Sequence, residues 1–418
     1  MECARLVRAM HVGPEKQANC GQLYGLGVRG FFGLHDQVGP PHQYVGEISM
    51  STVKTRVPAN ARWKCHSCGF CCKHYELGPV SEKIVRGINE SKIDEVWQKP
   101  PASSWFETRQ TPNGPQYFLR KKNGACVFLD PQNRCIVHSQ LGEAAKPAFC
   151  REFPFRLVKD PKGIVMVARP DCAGFAKNGS AGELLSDQVK AVAAIPRTQG
   201  IATWNPSAVS IVPNVDVPVQ SWMDHEVDLL RLIEETPGGP SSTVTAVRGF
   251  LEDRFALTLP PPDPTRARLA SRAALTALEM VMQSVLTQQH TQDPAEHNFA
   301  VEMYRMVSTA RMRMEKLDSP PPFDAPSTQH LNLLLRSDLL AKRFQSVGGV
   351  SEGLGLFLLN TSVVQTTIHH PNDIVAVGNL STLLSRWVRF SLNRSIRQVL
   401  HKAKPALIDI FLHTKDNV

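Results

Sequence analysis

The sequence predicts an α+β protein in which a small, irregular, cysteine-rich segment precedes a mainly α-helical one. Eight of the ten cysteines in this 418-residue chain lie between residues 65 and 172, and no cysteine follows. The same segment carries turn dipeptides such as Asn113-Gly114 and Asn123-Gly124, which indicate short strands, such as Ile164–Ala168, joined by tight turns. Beyond residue 180 apolar residues recur at intervals of three and four, which is the period of an amphipathic helix.

We predict three segments along the chain. Residues 1–59 form a poorly ordered N-terminal extension, residues 60–178 a cysteine-cluster domain that chelates zinc or iron, and residues 179–418 an all-α domain. Residues 1–49 lack sustained periodicity, and Met50 reads like a fresh start, although an ordinary extension packed on the core fits equally well. At 42% hydrophobic residues the chain can bury a full core, so its stability does not require disulfides.

We expect a cytoplasmic, bacterial protein. No stretch approaches the roughly 18–20 uninterrupted apolar residues of a membrane-spanning helix, and the N-terminus lacks the apolar core of a secretory signal. Thiols are kept reduced in the cytoplasm. A dense cysteine pattern there indicates metal ligation rather than disulfides.

The stretch CHSCGFCC places four thiols within eight residues, at Cys65, Cys68, Cys71 and Cys72. Two residues between thiols let both sulfurs converge on one ion without straining the backbone. Neighbouring side chains of an extended backbone point to opposite sides. We therefore expect Cys71 and Cys72 to serve different centres, or one of them to face away.

The eight clustered thiols are the predicted metal ligands. They divide into two four-thiolate sites, or into one cluster site plus structural thiols; the alternative is a set of buried, unligated cysteines. Zinc accepts all-cysteine tetrahedra. The opening gaps also match a ferredoxin run, but its fourth cysteine and the following proline are absent here, so zinc, iron and a 4Fe-4S cluster all stay open. The predicted ligands are Cys65, Cys68, Cys71, Cys72, Cys126, Cys135, Cys150 and Cys172.

Basic residues close to the cysteines in sequence are candidates for offsetting the thiolate charge. A solvated basic surface explains them equally well. Three histidines nearby, His66, His74 and His138, are interpreted as surface or packing residues. The basic candidates are Lys73, Arg120, Lys121, Lys122, Arg134, Arg151 and Arg156.

Four blocks, CHSCGFCC, CVFLDPQNRCIVH, KPAFCREFPF and DCAG, together resemble the CxxCxxCC family of zinc- or iron-chelating domains, over roughly residues 62–176. The resemblance implies metal chelation by all eight thiols. Its broader membership includes flagellin lysine N-methylases, which implies a hypothetical protein lysine N-methyltransferase activity using S-adenosylmethionine on a protein substrate. Lys146 stands where the family commonly has arginine, Ala173 where it has proline, and His138 where an aromatic residue is frequent.

The sequence offers little support for a methyl-donor site. The glycine-rich stretch GGVSEGLGLF at Gly348–Phe357 lies among helical segments with no preceding strand, and we interpret it as a flexible helix junction rather than a nucleotide loop. The alternative function is therefore a non-enzymatic protein in which zinc is structural and the basic helical domain binds a protein or nucleic-acid partner.

Helical periodicity dominates the C-terminal half. One apolar face runs through Leu275, Leu278, Met282 and Val285; proline clusters at 260–264 and 320–326 are predicted linkers. A second face comprises Phe299, Met303, Met306, Ala310 and Met314.

A third helix is predicted from Leu380 to Lys404, with an apolar and a cationic stripe. The net charge of +9 and this stripe suit an acidic protein, an anionic membrane surface or, less favoured, nucleic acid. The preferred interpretation is a helix that packs by its apolar face and keeps its basic face in water.

Overall fold

The computed structural model describes residues 54–97, 104–176, 182–195, 197, 200–288, 294–315, 323–369, 380–391 and 394–415. Most of the predicted N-terminal extension, residues 1–53, lies outside these described residues. The structure combines short strands with many helices. The predicted α+β class is confirmed.

The largest sheet of the described residues has four strands, in the order Thr55–Arg56 (β1), Gly163–Ala168 (β8), Phe155–Asp160 (β7) and Ala202–Thr203 (β10). Strands β7 and β8 form an antiparallel hairpin, and β1 and β10 flank it in parallel. The hairpin confirms the strand predicted over residues 164–168, and it turns at Asp160 and Gly163, where Gly163 has a φ of +124°. The strands are β1 Thr55–Arg56, β2 Arg62–Trp63, β3 Phe106–Thr111, β4 Gly114–Leu119, β5 Lys121–Lys122, β6 Ala125–Cys126, β7 Phe155–Asp160, β8 Gly163–Ala168, β9 Glu183–Leu184, β10 Ala202–Thr203, β11 Ala208–Val212 and β12 Val215–Pro218.

The cysteine-rich segment contains short helices and antiparallel strand pairs. Asn123 and Gly124 adopt positive φ values of 51° and 74° in the turn that joins β5 to β6, as expected for an Asn-Gly hairpin. Its helices, with the one that follows β9, are α1 Phe70–His74, α2 Glu82–Glu90, α3 Ile93–Val96, α4 Ile136–Leu141, α5 Ala148–Glu152, α6 Ala173–Ala176 and α7 Leu185–Ala193.

The C-terminal half is a layered helical assembly. Helix α13 (Val350–His369) packs against α16 (Lys404–His413). Helix α10 (Pro264–Gln288) packs against both α11 (Pro294–Glu315) and α16. In the part of the chain that the structure describes, no helix combines the length and the apolar run needed to cross a bilayer. The helices are α8 Val219–Glu235, α9 Pro240–Arg254, α10 Pro264–Gln288, α11 Pro294–Glu315, α12 Ala325–Leu340, α13 Val350–His369, α14 Leu380–Ser391, α15 Arg394–Lys402 and α16 Lys404–His413.

The two predicted amphipathic helices are confirmed as α10 and α11. Leu275, Leu278 and Met282 are almost fully buried, as are Met303 and Met306. These methionines fill the core between helices, where an unbranched, polarisable side chain packs well.

The helix predicted over residues 380–404 is present as α14 and α15 in the described part of the chain, and residues 392 and 393 between them lie outside the described residues. Their apolar residues Leu383, Trp387 and Ile396 are buried as expected. The basic face is not wholly solvated: Arg389 is only 3% exposed, and Arg386 forms an ion pair with Glu302 of α11.

Buried apolar side chains of the described residues form two hydrophobic clusters. The smaller cluster lies within residues 77–150 and contains Cys126. The larger cluster joins Ala61 and strands β7 and β8 to the helices up to Phe411. This larger cluster crosses residue 178, and the domain boundaries at residues 59 and 178 stay predictions.

A buried network of four charged groups links the sheet to the helices. Arg56 of β1 contacts Asp160 and donates a 2.9 Å hydrogen bond to Glu226 of α8. Lys342, at the end of α12, contacts Glu226 and lies 3.4 Å from Asp160. Both carboxylates are inaccessible to solvent, and the two cations compensate them, as buried charges require.

The glycines of residues 348–357 serve helix packing more than flexibility. Gly353 and Gly355 lie inside α13. A Cβ at Gly355 would overlap the carbonyl oxygen of Leu407 in α16. The absence of a side chain therefore lets these two helices approach closely.

We expect Gly355→Ala to destabilise the protein by about 1–3 kcal/mol, because the added methyl group would push α16 away from α13. Thermal and urea unfolding in reducing buffer measure the change. The matched control is Gly249→Ala in α9, where a Cβ meets nothing within 4 Å and should stabilise the helix by about 0.5–1 kcal/mol. An equal change in unfolding stability in the two variants would contradict this account of the α13–α16 contact.

Candidate metal centre

The opening knuckle folds as a tight turn that leads into helix α1. Ser67 and Gly69 have positive φ values of 50° and 68°, and the Ser67 amide donates a 3.5 Å hydrogen bond to the Cys65 sulfur. A Cβ at Gly69 would lie 2.7 Å from Oδ1 of Asn133. Glycine at this position therefore lets the knuckle approach the turn that precedes Cys135.

Cys71 and Cys72 both lie in helix α1, and their sulfur atoms are 3.9 Å apart. The expectation that they point to opposite sides assumed an extended backbone, and that assumption is wrong. In a helical turn consecutive side chains diverge by about 100° rather than 180°, so the two thiols can meet.

Helix α1 packs beside strand β6, which carries Cys126. Strand β6 pairs with β5, placing Cys126 opposite Lys121. An isolated antiparallel bridge pairs Leu129 with Cys135, which places Cys135 close to the segment that follows Cys126. Cys72, Cys135 and Cys150 all pack against the small hydrophobic cluster that contains Cys126.

Cys150 and Cys172 come from two further segments. Cys150 lies in α5, where its amide donates a 3.0 Å hydrogen bond to the carbonyl oxygen of Pro147. Cys172 is buried in the turn before α6, and its amide donates a 3.0 Å hydrogen bond to the carbonyl oxygen of Arg169. Cys65, by contrast, is exposed at the start of the knuckle.

The thiols are close enough to perturb one another's ionisation. Burial raises the pKa of Cys126 to about 12 and that of Cys172 to about 12, and it raises the pKa of Cys150 well above its ordinary value. The Cys71 thiol contributes to all three increases. Its own pKa is raised by the hydrogen bond with Cys72 and then by burial, so Cys71 interacts electrostatically with each of the three buried thiols.

Two lysines supply positive charge to this group. Lys146 favours the thiolate forms of Cys71 and Cys150, and Lys121 favours that of Cys126. Lys121 was among the predicted compensating residues, but Lys146 was noted only as a departure from the family pattern. The other candidates include Arg134, which instead pairs with Asp130.

Thiolates are suitable ligands for zinc or iron. In the described residues, however, the sulfur atoms do not surround a common point. A tetrahedral ion with thiolates at about 2.3 Å has sulfur–sulfur edges of about 3.8 Å, close to the 3.9 Å between Cys71 and Cys72. Within the described ranges, no three Cys, His, Asp or Glu side chains are placed to hold one ion together. The remaining thiols would need to change rotamer.

Several residues that the sequence did not assign to the metal site contact helix α1 or the residue that follows it. Tyr75, which follows the helix, donates a hydrogen bond to Asp171, and Asp171 also accepts from Arg169 at 2.8 and 3.1 Å. Arg389 of α14 donates to the carbonyl oxygen of His74. Asp171 carried a local signal, since it precedes Cys172, but Arg389 carried none, because 315 residues separate it from His74.

The three histidines behave as predicted for surface and packing residues. His66 and His138 are exposed. The His74 ring lies 4.5 Å from the Phe70 ring and 5.8 Å from the Phe299 ring. Burial, followed by the charge of Arg389, lowers the pKa of His74 to about 3, so its imidazole is neutral at pH 7.

Comparison with protein families supports the reading of the cysteine blocks. Residues 64–173 match the family model CxxCxxCC, described as "Putative zinc- or iron-chelating domain". The match covers 110 of the 418 residues, about a quarter of the chain, and confirms the resemblance inferred for that segment. Neither the curated proteins nor the solved structures contain a match to this chain.

The raised thiol pKa values predict a loss of stability of the metal-free protein at alkaline pH. The pKa of Cys126 and that of Cys172 are about 12 in the folded protein, whereas the pKa of a cysteine in an unfolded chain is about 8.5. Between these values the unfolded chain binds fewer protons, so the free energy of unfolding falls as pH rises. Below about pH 8 the stabilisation that comes from keeping these two thiols protonated is fully present.

Thermal unfolding of reduced, chelator-treated protein from pH 7.5 to 9.5 measures this loss. The variant Cys126→Ala/Cys172→Ala provides the control, and we expect its unfolding temperature to fall less steeply with pH. A wild-type unfolding temperature that is constant or rises over this range would contradict the prediction.

Proposed function

We propose that this protein is a metal-chelating protein in which thiolates of the cysteine-rich segment hold zinc or iron. The observation that carries the proposal is the 3.9 Å separation of the Cys71 and Cys72 sulfur atoms in α1, which packs beside the β6 strand of Cys126, while Cys150 packs on the same hydrophobic cluster as Cys72. Three of these thiols are contributed by separate segments. Such convergence is costly for buried, unpaired thiols but favourable once a metal replaces their protons.

The proposed ligand set keeps all eight predicted cysteines, with the Cys71–Cys72 pair at its centre and Cys65 and Cys68 closing it from the knuckle. We propose that Cys71 and Cys72 share one centre, since their 3.9 Å separation suits one edge of a thiolate tetrahedron. Lys121 and Lys146 would offset part of the thiolate charge. Bound zinc would stabilise the fold, and bound iron–sulfur would add electron transfer.

A methyltransferase activity is a weaker hypothesis for this chain. Its support is the family resemblance. The glycine-rich stretch noted in the sequence lies at the start of α13 and inside it, where Gly353 faces Phe344 and Gly355 faces Leu407, and its contacts are explained by helix packing. Calorimetric titration of the metal-loaded protein with S-adenosylmethionine tests the hypothesis, and binding there would revive it.

The non-enzymatic alternative has structural zinc and a helical part that binds an acidic partner. Its support is the net charge of +9. Several basic groups of the helices are engaged within the chain: Arg386 pairs with Glu302, and Arg389 donates to the His74 carbonyl oxygen. These contacts weaken the argument for a basic binding face on α14.

Protein purified without oxygen should contain zinc or iron in a fixed ratio to the chain. We expect Cys126→Ser to lose at least one metal equivalent, because Cys126 is a buried ligand beside α1. Elemental analysis with sulfide determination, together with the visible spectrum, distinguishes colourless zinc protein from a brown iron–sulfur protein. The matched control, Cys20→Ser, changes a cysteine outside the matched segment and should keep the full metal content; metal-free wild-type protein would contradict the proposal.

The shared centre at α1 predicts that Cys71→Ser and Cys72→Ser each lose the same metal equivalent. The double variant should lose no more than either single one, because a centre that has already been lost cannot be lost again. Native mass spectrometry of the three variants gives the stoichiometry directly. Separate centres would instead produce losses that add.

A further inference from the structure

Tyr75 contacts three segments that together carry four of the proposed ligands, Cys71, Cys72, Cys150 and Cys172. Its backbone amide donates a 3.2 Å hydrogen bond to the carbonyl oxygen of Cys71 and so ends helix α1. Tyr75 is thus fixed to the helix that presents Cys71 and Cys72.

The hydroxyl of Tyr75 reaches the turn that carries Cys172. It donates a hydrogen bond to Oδ2 of Asp171, whose side chain is inaccessible to solvent. Arg169 holds the same carboxylate through two hydrogen bonds of 2.8 and 3.1 Å. Since Cys172 directly follows Asp171, and its amide donates to the Arg169 carbonyl oxygen at 3.0 Å, this carboxylate sets where the Cys172 thiol lies.

The ring of Tyr75 reaches the segment that carries Cys150. Its centroid lies 5.2 Å from that of Phe153. Phe153 ends helix α5, and its amide donates a 3.2 Å hydrogen bond to the carbonyl oxygen of Phe149. The guanidinium groups of Arg169 and Arg389 each lie 5.4 Å from the Tyr75 ring, a distance at which a cation is attracted to an aromatic face.

We propose that Tyr75 is a positioning residue for the metal centre, whose hydroxyl holds the Cys172 thiol in place through Asp171. The proposal rests on the proposed metal-chelating function. Tyr75 does not bind the metal; it sets the relation between the segment of Cys172 and helix α1. Outer contacts of this kind orient the ligands of a metal and raise its affinity.

The hydroxyl can be removed without removing the ring. In Tyr75→Phe the contacts with Phe153, Arg169 and Arg389 persist, while the buried Asp171 carboxylate loses one donor. We expect metal affinity, measured by competition with a chelator, to fall by about 10–100-fold. The matched control is Tyr117→Phe, which removes a hydroxyl from β4 in the same cysteine-rich segment and should leave metal affinity unchanged.

Selective exposure of one cysteine distinguishes positioning from general loosening. We expect iodoacetamide to alkylate Cys172 in metal-loaded Tyr75→Phe at least 10-fold faster than in the wild type, while Cys126 stays protected, as read by peptide mass spectrometry. Asp171→Asn provides a second variant if Tyr75→Phe does not fold, and it should expose Cys172 in the same selective manner.

Three outcomes would overturn the proposal. Wild-type affinity in Tyr75→Phe, or an equal rise in the reactivity of all eight thiols with a lower unfolding temperature of the metal-free protein, would overturn the positioning role alone. Wild-type protein whose thiols are not protected by added zinc or iron would overturn the proposed function and this inference together.

Discussion

Helix α1 is held between parts of the chain that are remote from it in sequence. Strand β6 packs beside it, Tyr75 at its end binds Asp171, and Arg389 donates to the carbonyl oxygen of its last residue, His74. These contacts place the thiols of Cys71 and Cys72 relative to the other cysteines of the segment. The candidate metal centre therefore depends on the packing of the helical part, although the matched family segment covers only residues 64–173.

Strands β7 and β8, which lie between Cys150 and Cys172 in sequence, pack with the helices of the C-terminal half. Strands β7 and β8 contribute their buried side chains to the larger hydrophobic cluster, and the network of Arg56, Asp160, Glu226 and Lys342 joins the hairpin to α8 and α12. Such a network adds little net stability compared with apolar packing, but losing one member leaves a buried, uncompensated charge. The packing of the hairpin against α8 therefore requires all four charged groups to be present.

Metal binding at the proposed thiolate centre would change the protonation of these thiols. Without metal, burial keeps Cys126, Cys150 and Cys172 protonated at neutral pH, since their pKa values are raised. A metal ion must displace these protons, so its affinity depends on pH. The lysines Lys121 and Lys146 reduce this cost by favouring the thiolate forms of neighbouring cysteines. Burial thus raises the pKa of the Cys126 and Cys150 thiols, while the nearby lysines lower it.

The sequence by itself determined the order and spacing of the eight thiols, the α+β class, the hairpin strand at residues 164–168 and the buried faces of α10 and α11, because spacing and periodicity are properties of neighbouring residues. It did not determine the conformation of Cys71 and Cys72, which a five-residue helix brings together after the left-handed turn at Gly69. Only the tertiary structure decided that Tyr75 and Arg389 hold that helix and that part of the basic C-terminal stretch is buried, because these contacts join residues up to 315 positions apart. No local pattern encodes which distant surfaces pack together.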